Sequence, residues 1–325
     1  MKNIFIRDLH SIKTVVIITL LLVSFYSNAQ LKGGHLLGAM GLQSGTQTPE
    51  NTLSVFLPAY FYNTTSLRDN DGDVAVANPD LNMFLTGVGV GWVSDLKILG
   101  ANYGASVLLP FASNAIQGNY VNSKSPFAFS DTYFVPIQLG WHNKKADFIF
   151  SYAMYLPTGK YENGASDNSG LGMFINELSA GTTVYFNDKK TLHLSALASY
   201  EMNGKKKGTD IKTGDILSLE GGFGKTFYVM GGTTDAPAPK SIINAGLIYY
   251  MQFKTTSDEI PLPIGNAVFT GNKDRVMALG AEVNYFHISS STSAGLRWFG
   301  EVESINRFKG NTFFLTLAHV FSFKK

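Results

Sequence analysis

The chain has 325 residues with 26 Lys and Arg against 24 Asp and Glu, and its formal net charge of +2 is too small to imply a nucleic-acid partner. There is no Cys, which excludes disulfides, thiolate metal sites and cysteine nucleophiles together. Charged residues make up 15% of the chain beside 13% aromatics and 33 Gly, a composition suited to a surface that faces an apolar solvent.

Lys2, Arg7 and Lys13 flank an apolar run from Thr14 to Val23, and Ser27-Asn28-Ala29 before Gln30 has the small-x-small pattern of a cleavage site. Residues 1–29 read as a signal peptide, because the run is shorter than the roughly 20 residues that cross a bilayer as a helix. No longer apolar run follows. A membrane-crossing form of this chain must therefore be a closed sheet, since lipid cannot satisfy an open backbone edge. Residues 30–51 carry Gly33-Gly34 and Gly45-Thr46-Gln47-Thr48-Pro49 without a strand pattern. They read either as a flexible leader or as a partial plug folded into a lumen.

From Thr52 onward β-rich segments alternate with Gly, Asn, Asp, Ser and Lys breaks. Strands are expected near 52–62, 81–94, 102–110, 131–141, 146–156, 175–186, 191–201, 215–225, 242–253, 276–287, 291–301 and 311–323. This gives an all-β transmembrane antiparallel barrel of about 12 strands over 52–325, an even number as bacterial barrels of this kind require. Phe148, Phe150, Tyr152, Met154 and Leu156 share one face of their strand, while Asp147, Ser151 and Ala153 share the other. With the mature N-terminus in the periplasm, the outer connections are 63–80, 111–130, 157–174, 202–214, 254–275 and 302–310. The inner ones are 95–101, 142–145, 187–190, 226–241 and 288–290. Long polar outer loops alternating with short inner turns are expected of an outer-membrane barrel but not of a sandwich. The last segment alternates Phe313, Leu315, Leu317, His319, Phe321 and Phe323, as terminal strands read by the outer-membrane assembly machinery do. Trp92 and Trp141 fall near inner strand ends and Trp298 near an outer one, where aromatic girdles belong.

Chemical motifs are weak. Gly224-Lys225-Thr226 lacks the first Gly of a phosphate loop and lies at a strand end. Asp69-Asn70-Asp71-Gly72-Asp73 fails the EF-hand frame at its first and twelfth positions and reads as a solvated turn. No cofactor, metal site or catalytic residue is expected. The inward register instead collects Glu220, Glu282, Arg297 and Tyr250, with Glu177, His193 and Gln252, as candidate lumen contacts. These groups either cross-brace a narrow barrel or line an amphipathic conduit.

Several segments resemble, in order, an outer-membrane family known for the MetA-pathway of phenol degradation. They include Gly41-Leu42-Gln43-Ser44-Gly45-Thr46-Gln47-Thr48-Pro49, Leu67-Arg68-Asp69-Asn70-Asp71-Gly72, Pro136-Ile137-Gln138-Leu139-Gly140-Trp141, Tyr155-Leu156-Pro157-Thr158-Gly159-Lys160-Tyr161 and Asn306-Arg307-Phe308-Lys309-Gly310. The resemblance implies a barrel of the bacterial outer membrane that helps uptake of aromatic or other hydrophobic compounds, and it brings no catalytic residues. The expected function is a passive channel for such solutes. Its partners would be outer-membrane lipid, the small hydrophobic solutes, and the assembly machinery during biogenesis. The rivals are a filled structural or adhesion barrel acting through its outer loops, and an outer-membrane lipid-modifying enzyme.

Overall fold

Period-two alternation of apolar and small polar residues makes each segment a strand with one face for lipid and one for the interior. In the computed structural model, which describes residues 33–79, 81–117, 122–233, 236–260, 268–270 and 273–323, twelve long strands follow this pattern. The expected signal peptide at 1–29 lies outside the described residues. The strands are β1 (Thr52–Arg68), β2 (Leu81–Ile98), β3 (Ala101–Gln117), β4 (Thr132–His142), β5 (Ala146–Leu156) and β6 (Ile175–Tyr185), followed by β7 (Leu192–Asn203), β8 (Ile216–Thr233), β9 (Ala236–Lys254), β10 (Arg275–His287), β11 (Thr292–Ile305) and β12 (Phe308–Ser322).

Each strand pairs antiparallel with the next, and β12 returns to β1 from Thr52↔Ser322 to Leu67↔Phe308, closing the sheet. Closure removes the free edges that neither lipid nor water-free packing could satisfy. Short strands at Val74–Ala77 and Asn122–Phe129 extend the rim beside β1 and β3. Outward residues such as Phe148, Phe150, Leu194, Leu296 and Leu317 are 38–50% exposed, while His193, Ser195 and Glu201 between and beside them are 1% exposed or less. An apolar belt around the whole wall with polar groups inside is inverted relative to a soluble protein, and it suits lipid.

The connections sort by barrel end. At the end shared by Thr52 and Ser322 the turns are short, as at Leu99-Gly100, where both residues take positive φ (51° and 79°) in a two-residue hairpin. At the opposite end lie the long connections 69–80, 118–131, 157–174, 204–215 and 255–274.

Two expectations are corrected. The stretch 226–241, expected as an inner connection, is a continuation of β8 and β9, which pair from Thr226↔Asn244 to Thr233↔Ala236. This hairpin overhangs β7, whose pairing with β8 ends at Lys225↔Leu192. Pro237 and Pro239 fall beyond the last pairing of β9 with β10 at Ser241↔His287, on an edge where a missing N–H is tolerated. The stretch 302–310, expected as an outer loop, is strand on both sides of a two-residue turn at Asn306-Arg307. Trp298, expected near an outer end, consequently stands in the middle of β11.

Candidate functional site

Residues 33–50 form no strand and pair with no wall backbone as a ladder. They run inside the barrel, held by side chains that the wall aims inward. The segment's own chemistry explains the route. Gly33, Gly34, Gly38, Gly41 and Gly45 let the backbone approach the wall, and at Gly45 an added Cβ would fall 2.1 Å from the Thr182 carbonyl carbon. An extended or turning backbone exposes N–H groups, which must find acceptors once they are buried.

Wall carboxylates do so. Glu201 on β7 accepts from the N–H of Gly34 and of His35 with the same oxygen, at 2.7 and 2.9 Å. Glu220 on β8 accepts from Gly38 N at 2.6 Å and Met40 N at 3.0 Å through its two oxygens. Glu282 on β10 accepts from Leu42 N at 2.8 Å. Arg297 on β11 pairs with Glu282 at 3.2 Å and donates to the Ala39 carbonyl at 2.8 Å. Ser195 donates to the Leu42 carbonyl at 2.7 Å, and Gln47 reaches Gln138 at 3.2 Å.

His35 is the centre of this grip. Its Nδ1 lies 2.6 Å from Glu177 Oε2 and its Nε2 3.3 Å from Glu220 Oε1, with its side chain 6% exposed. Tyr133 donates to the other oxygen of Glu177 at 3.0 Å, and its ring lies 4.6 Å from that of Tyr155, against which the backbone of Gly34 packs. Burial alone would lower the His35 pKa, but Glu177 and Glu220 outweigh it and raise it well above the ordinary imidazole value. The two carboxylates therefore favour the protonated ring.

Of the sequence candidates, Glu177, Glu220, Glu282 and Arg297 touch the segment. His193, fully buried with neither ring nitrogen bonded, packs beside Leu42 at Gly224. Tyr250 packs in one apolar cluster with Leu37 and Leu42 of the segment, and with Gln252 it also belongs to a second network nearer the long-loop end. There Glu301 accepts from Tyr62 and Tyr250, each at 3.0 Å, and Arg307 donates to Gln252 at 2.9 Å while pairing with Asp274. Lys254 joins Asp274 and Asp258 at 3.1 and 3.0 Å. His35 and Arg307 were not legible as site residues. Each comes from a turn or irregular segment and meets its partners across 142 and 55 residues of chain. Among the described residues no group of three or more His, Asp and Glu is placed to hold a metal ion.

The arrangement is a lumen with acidic groups and two apolar clusters, around Phe299 and around Phe314, occupied by a segment of the same chain whose Leu37, Leu42, Leu36 and Ala39 pack into those clusters. A family profile described as "Putative MetA-pathway of phenol degradation" matches residues 64–317. Among solved structures, an outer-membrane channel from Pseudomonas putida F1 superposes with a TM-score of 0.69 at 12% identity, covering 86% of this chain and 98% of the other. That likeness shows the fold, a closed antiparallel barrel of the outer-membrane kind. The β domain of the Bordetella autotransporter BrkA follows at TM-score 0.45 and 10% identity, covering 82% of this chain and 99% of the other. The TodX monoaromatic hydrocarbon channel gives 0.40 at 11%, with 85% and 91% covered. No curated protein sequence matches the chain.

Proposed function

The chain belongs to the family of the MetA-pathway of phenol degradation, and on that premise we propose that it is a passive outer-membrane channel for small hydrophobic or aromatic compounds, with residues 33–49 as its internal stopper. The observation that carries this reading is how the segment is held. It lies in the lumen through hydrogen bonds to the side chains of Glu177, Glu201, Glu220 and Glu282 and from that of Arg297, with Leu37 and Leu42 packed among apolar wall residues, and it adds no strand to the wall. A filling built this way can leave without unzipping the barrel. Covalent chemistry has no part in the proposal. His193 and Ser195, adjacent on β7, point into the lumen, but the Ser195 hydroxyl engages the Leu42 carbonyl and is not bonded to the imidazole. Lipid around the apolar belt, and the assembly machinery acting on β12 during insertion, are the other partners the proposal requires.

The same filling favours a second reading, a structural barrel acting through its outer loops. Uptake of labelled phenol and a medium-chain fatty acid into liposomes distinguishes them. The channel reading expects flux above protein-free liposomes, and faster, less selective flux when residues 31–46 are deleted. No flux from either the full chain or the deletion would overturn it in favour of the structural barrel.

A further inference from the structure

His35 occupies its place as a ligand would. Three carboxylates on consecutive strands, Glu177, Glu201 and Glu220, converge on one end of the segment, and each of the three residues is 1% exposed or less. No Lys or Arg stands opposite them on a neighbouring strand, for their partners are Ala153, Ile216, Leu197, Tyr250 and one another. The contrast is Glu282, which faces Arg297 directly. Apart from the Tyr133 hydroxyl on Glu177, the three therefore depend on His35 and on the N–H groups of Gly34, His35, Gly38 and Met40. Among the described residues Glu201 Oε2 has no hydrogen-bond partner, and it lies 2.5 Å from where a Cβ of Gly33 would stand.

Exchange of the occupant follows a chemical rule. A hydrocarbon in place of the segment would leave Glu201 and Glu220 buried without donors and Glu177 with the Tyr133 hydroxyl alone, which is strongly unfavourable. An occupant with N–H groups and a positive charge restores the lost bonds, and a flat ring on it gains the faces of Tyr133 and Tyr155. We propose that this pocket is a recognition site for small planar nitrogen cations, protonated aromatic amines or N-heteroaromatics, and that His35 is its built-in occupant. This deepens the channel reading and rests on it for the route by which such a cation arrives. It selects donor-bearing cationic aromatics over donor-free ones within the solutes that pass.

Complementation tests the pocket apart from transport. In full-length His35→Gly in detergent, imidazole at about pH 6, where it is largely protonated, is expected to bind saturably and raise the melting temperature. Its uncharged isostere pyrazole should bind at least tenfold more weakly. The native chain, with its pocket filled, should show no saturable response to either. Adding Glu177→Gln and Glu220→Gln to the glycine variant should erase the preference. Equal binding of imidazole and pyrazole, or the same imidazole response in native and variant chains, overturns the proposal. Should the variant fail to fold, the native chain in liposomes decides. Benzylammonium is expected to enter faster than benzyl alcohol, or to block its entry, and indifference between the two overturns the pocket while leaving the channel intact. If neither solute enters, the channel reading is what fails, and the milder His35→Ala chain in detergent decides the pocket, equal binding of imidazole and pyrazole overturning it.

Discussion

Glu177 on β6 and Glu201 on β7 are direct cross-strand partners, and both point into the barrel with 1% exposure or less. Two acidic groups so placed repel each other where both are ionised, which destabilises a sheet. What reconciles them is the segment between, since His35 bonds Glu177 through its ring while its backbone N–H and that of Gly34 bond Glu201. The wall and the stopper are therefore mutually dependent. The acidic wall is strained without the segment, and the segment's donors are unsatisfied without the wall.

The two carboxylates hold different groups, so their amides should differ. Glu177→Gln removes the anion beside the imidazolium, a bond of the kind worth about 1.5–3 kcal/mol. We expect roughly ten- to a hundredfold faster hydrogen exchange at residues 34–40. Glu201→Gln keeps a carbonyl for the N–H of Gly34 and His35 and relieves the repulsion, so exchange should change severalfold at most. Equal effects would mean that the His35–Glu177 contact is not what holds the segment.

The raised pKa of His35 gives the seal a pH dependence on the alkaline side. The protonated form is the one held, so the stabilisation is complete below the unfolded value of about 6.5 and is lost as pH rises through the higher native value. The groups facing the imidazole are Glu177, Glu220 and Glu201 on the wall, with Tyr133 and Tyr155 behind them. Protease cleavage or conductance should show the segment releasing as pH rises above neutral, and His35→Gln should abolish that rise. A native profile flat through the alkaline range would remove His35 as the titrating latch.

How much of this was legible in the sequence follows from the range of the interactions. All twelve strands and the face each residue presents could be read, because lipid imposes an outward apolar set and the side-chain period is two. Phe150 outside and His193 inside follow from neighbours one or two positions away. The grip does not, because His35 is a lone histidine after two glycines and its partners lie 142 and 185 residues on. One signal was present. Glu177, Glu201 and Glu220 share the inward register with no basic residue opposite, and such a wall needs donors from elsewhere. The 226–241 hairpin misled because Pro237 and Pro239 punctuate a strand only where both neighbours demand N–H groups, and beyond Ser241 the β10 side of β9 has no neighbour.

Close approach at Gly45 should be stricter than at Gly41. A Cβ at Gly45 would meet the backbone of Thr182 on β6, which cannot give way without bending the wall. A Cβ at Gly41 would meet side-chain atoms of Glu282 and Arg297, which can swing aside. Gly45→Ala should therefore raise protease access to the segment several-fold with barrel melting unchanged, whereas Gly41→Ala should have a smaller effect. If both are silent, the segment does not run along β6 and β10 as described.

Arginine substitutions separate the lipid face from the occupied lumen. Phe150 lies in the middle of β5 and is 38% exposed on the outer wall, so Phe150→Arg should cost about 2–4 kcal/mol near the midplane whatever fills the barrel. Ser195 on β7 points inward, is 1% exposed and bonds the Leu42 carbonyl. An arginine there collides with the segment, so the penalty should be comparable in the full chain but arise from displaced packing. Deleting residues 31–46 empties that space, and the Ser195→Arg penalty should then fall below about 1 kcal/mol while that of Phe150→Arg stays, because a lumen charge meets water and a lipid-facing charge does not. Denaturant titration of the six chains in bilayers, the two parents and the two substitutions in each, measures the couplings as two double-mutant cycles. A Ser195→Arg penalty unchanged by the deletion would place its origin in the wall itself. A Phe150→Arg penalty that vanished would mean that β5 is shifted by one residue, since that slip exchanges its faces.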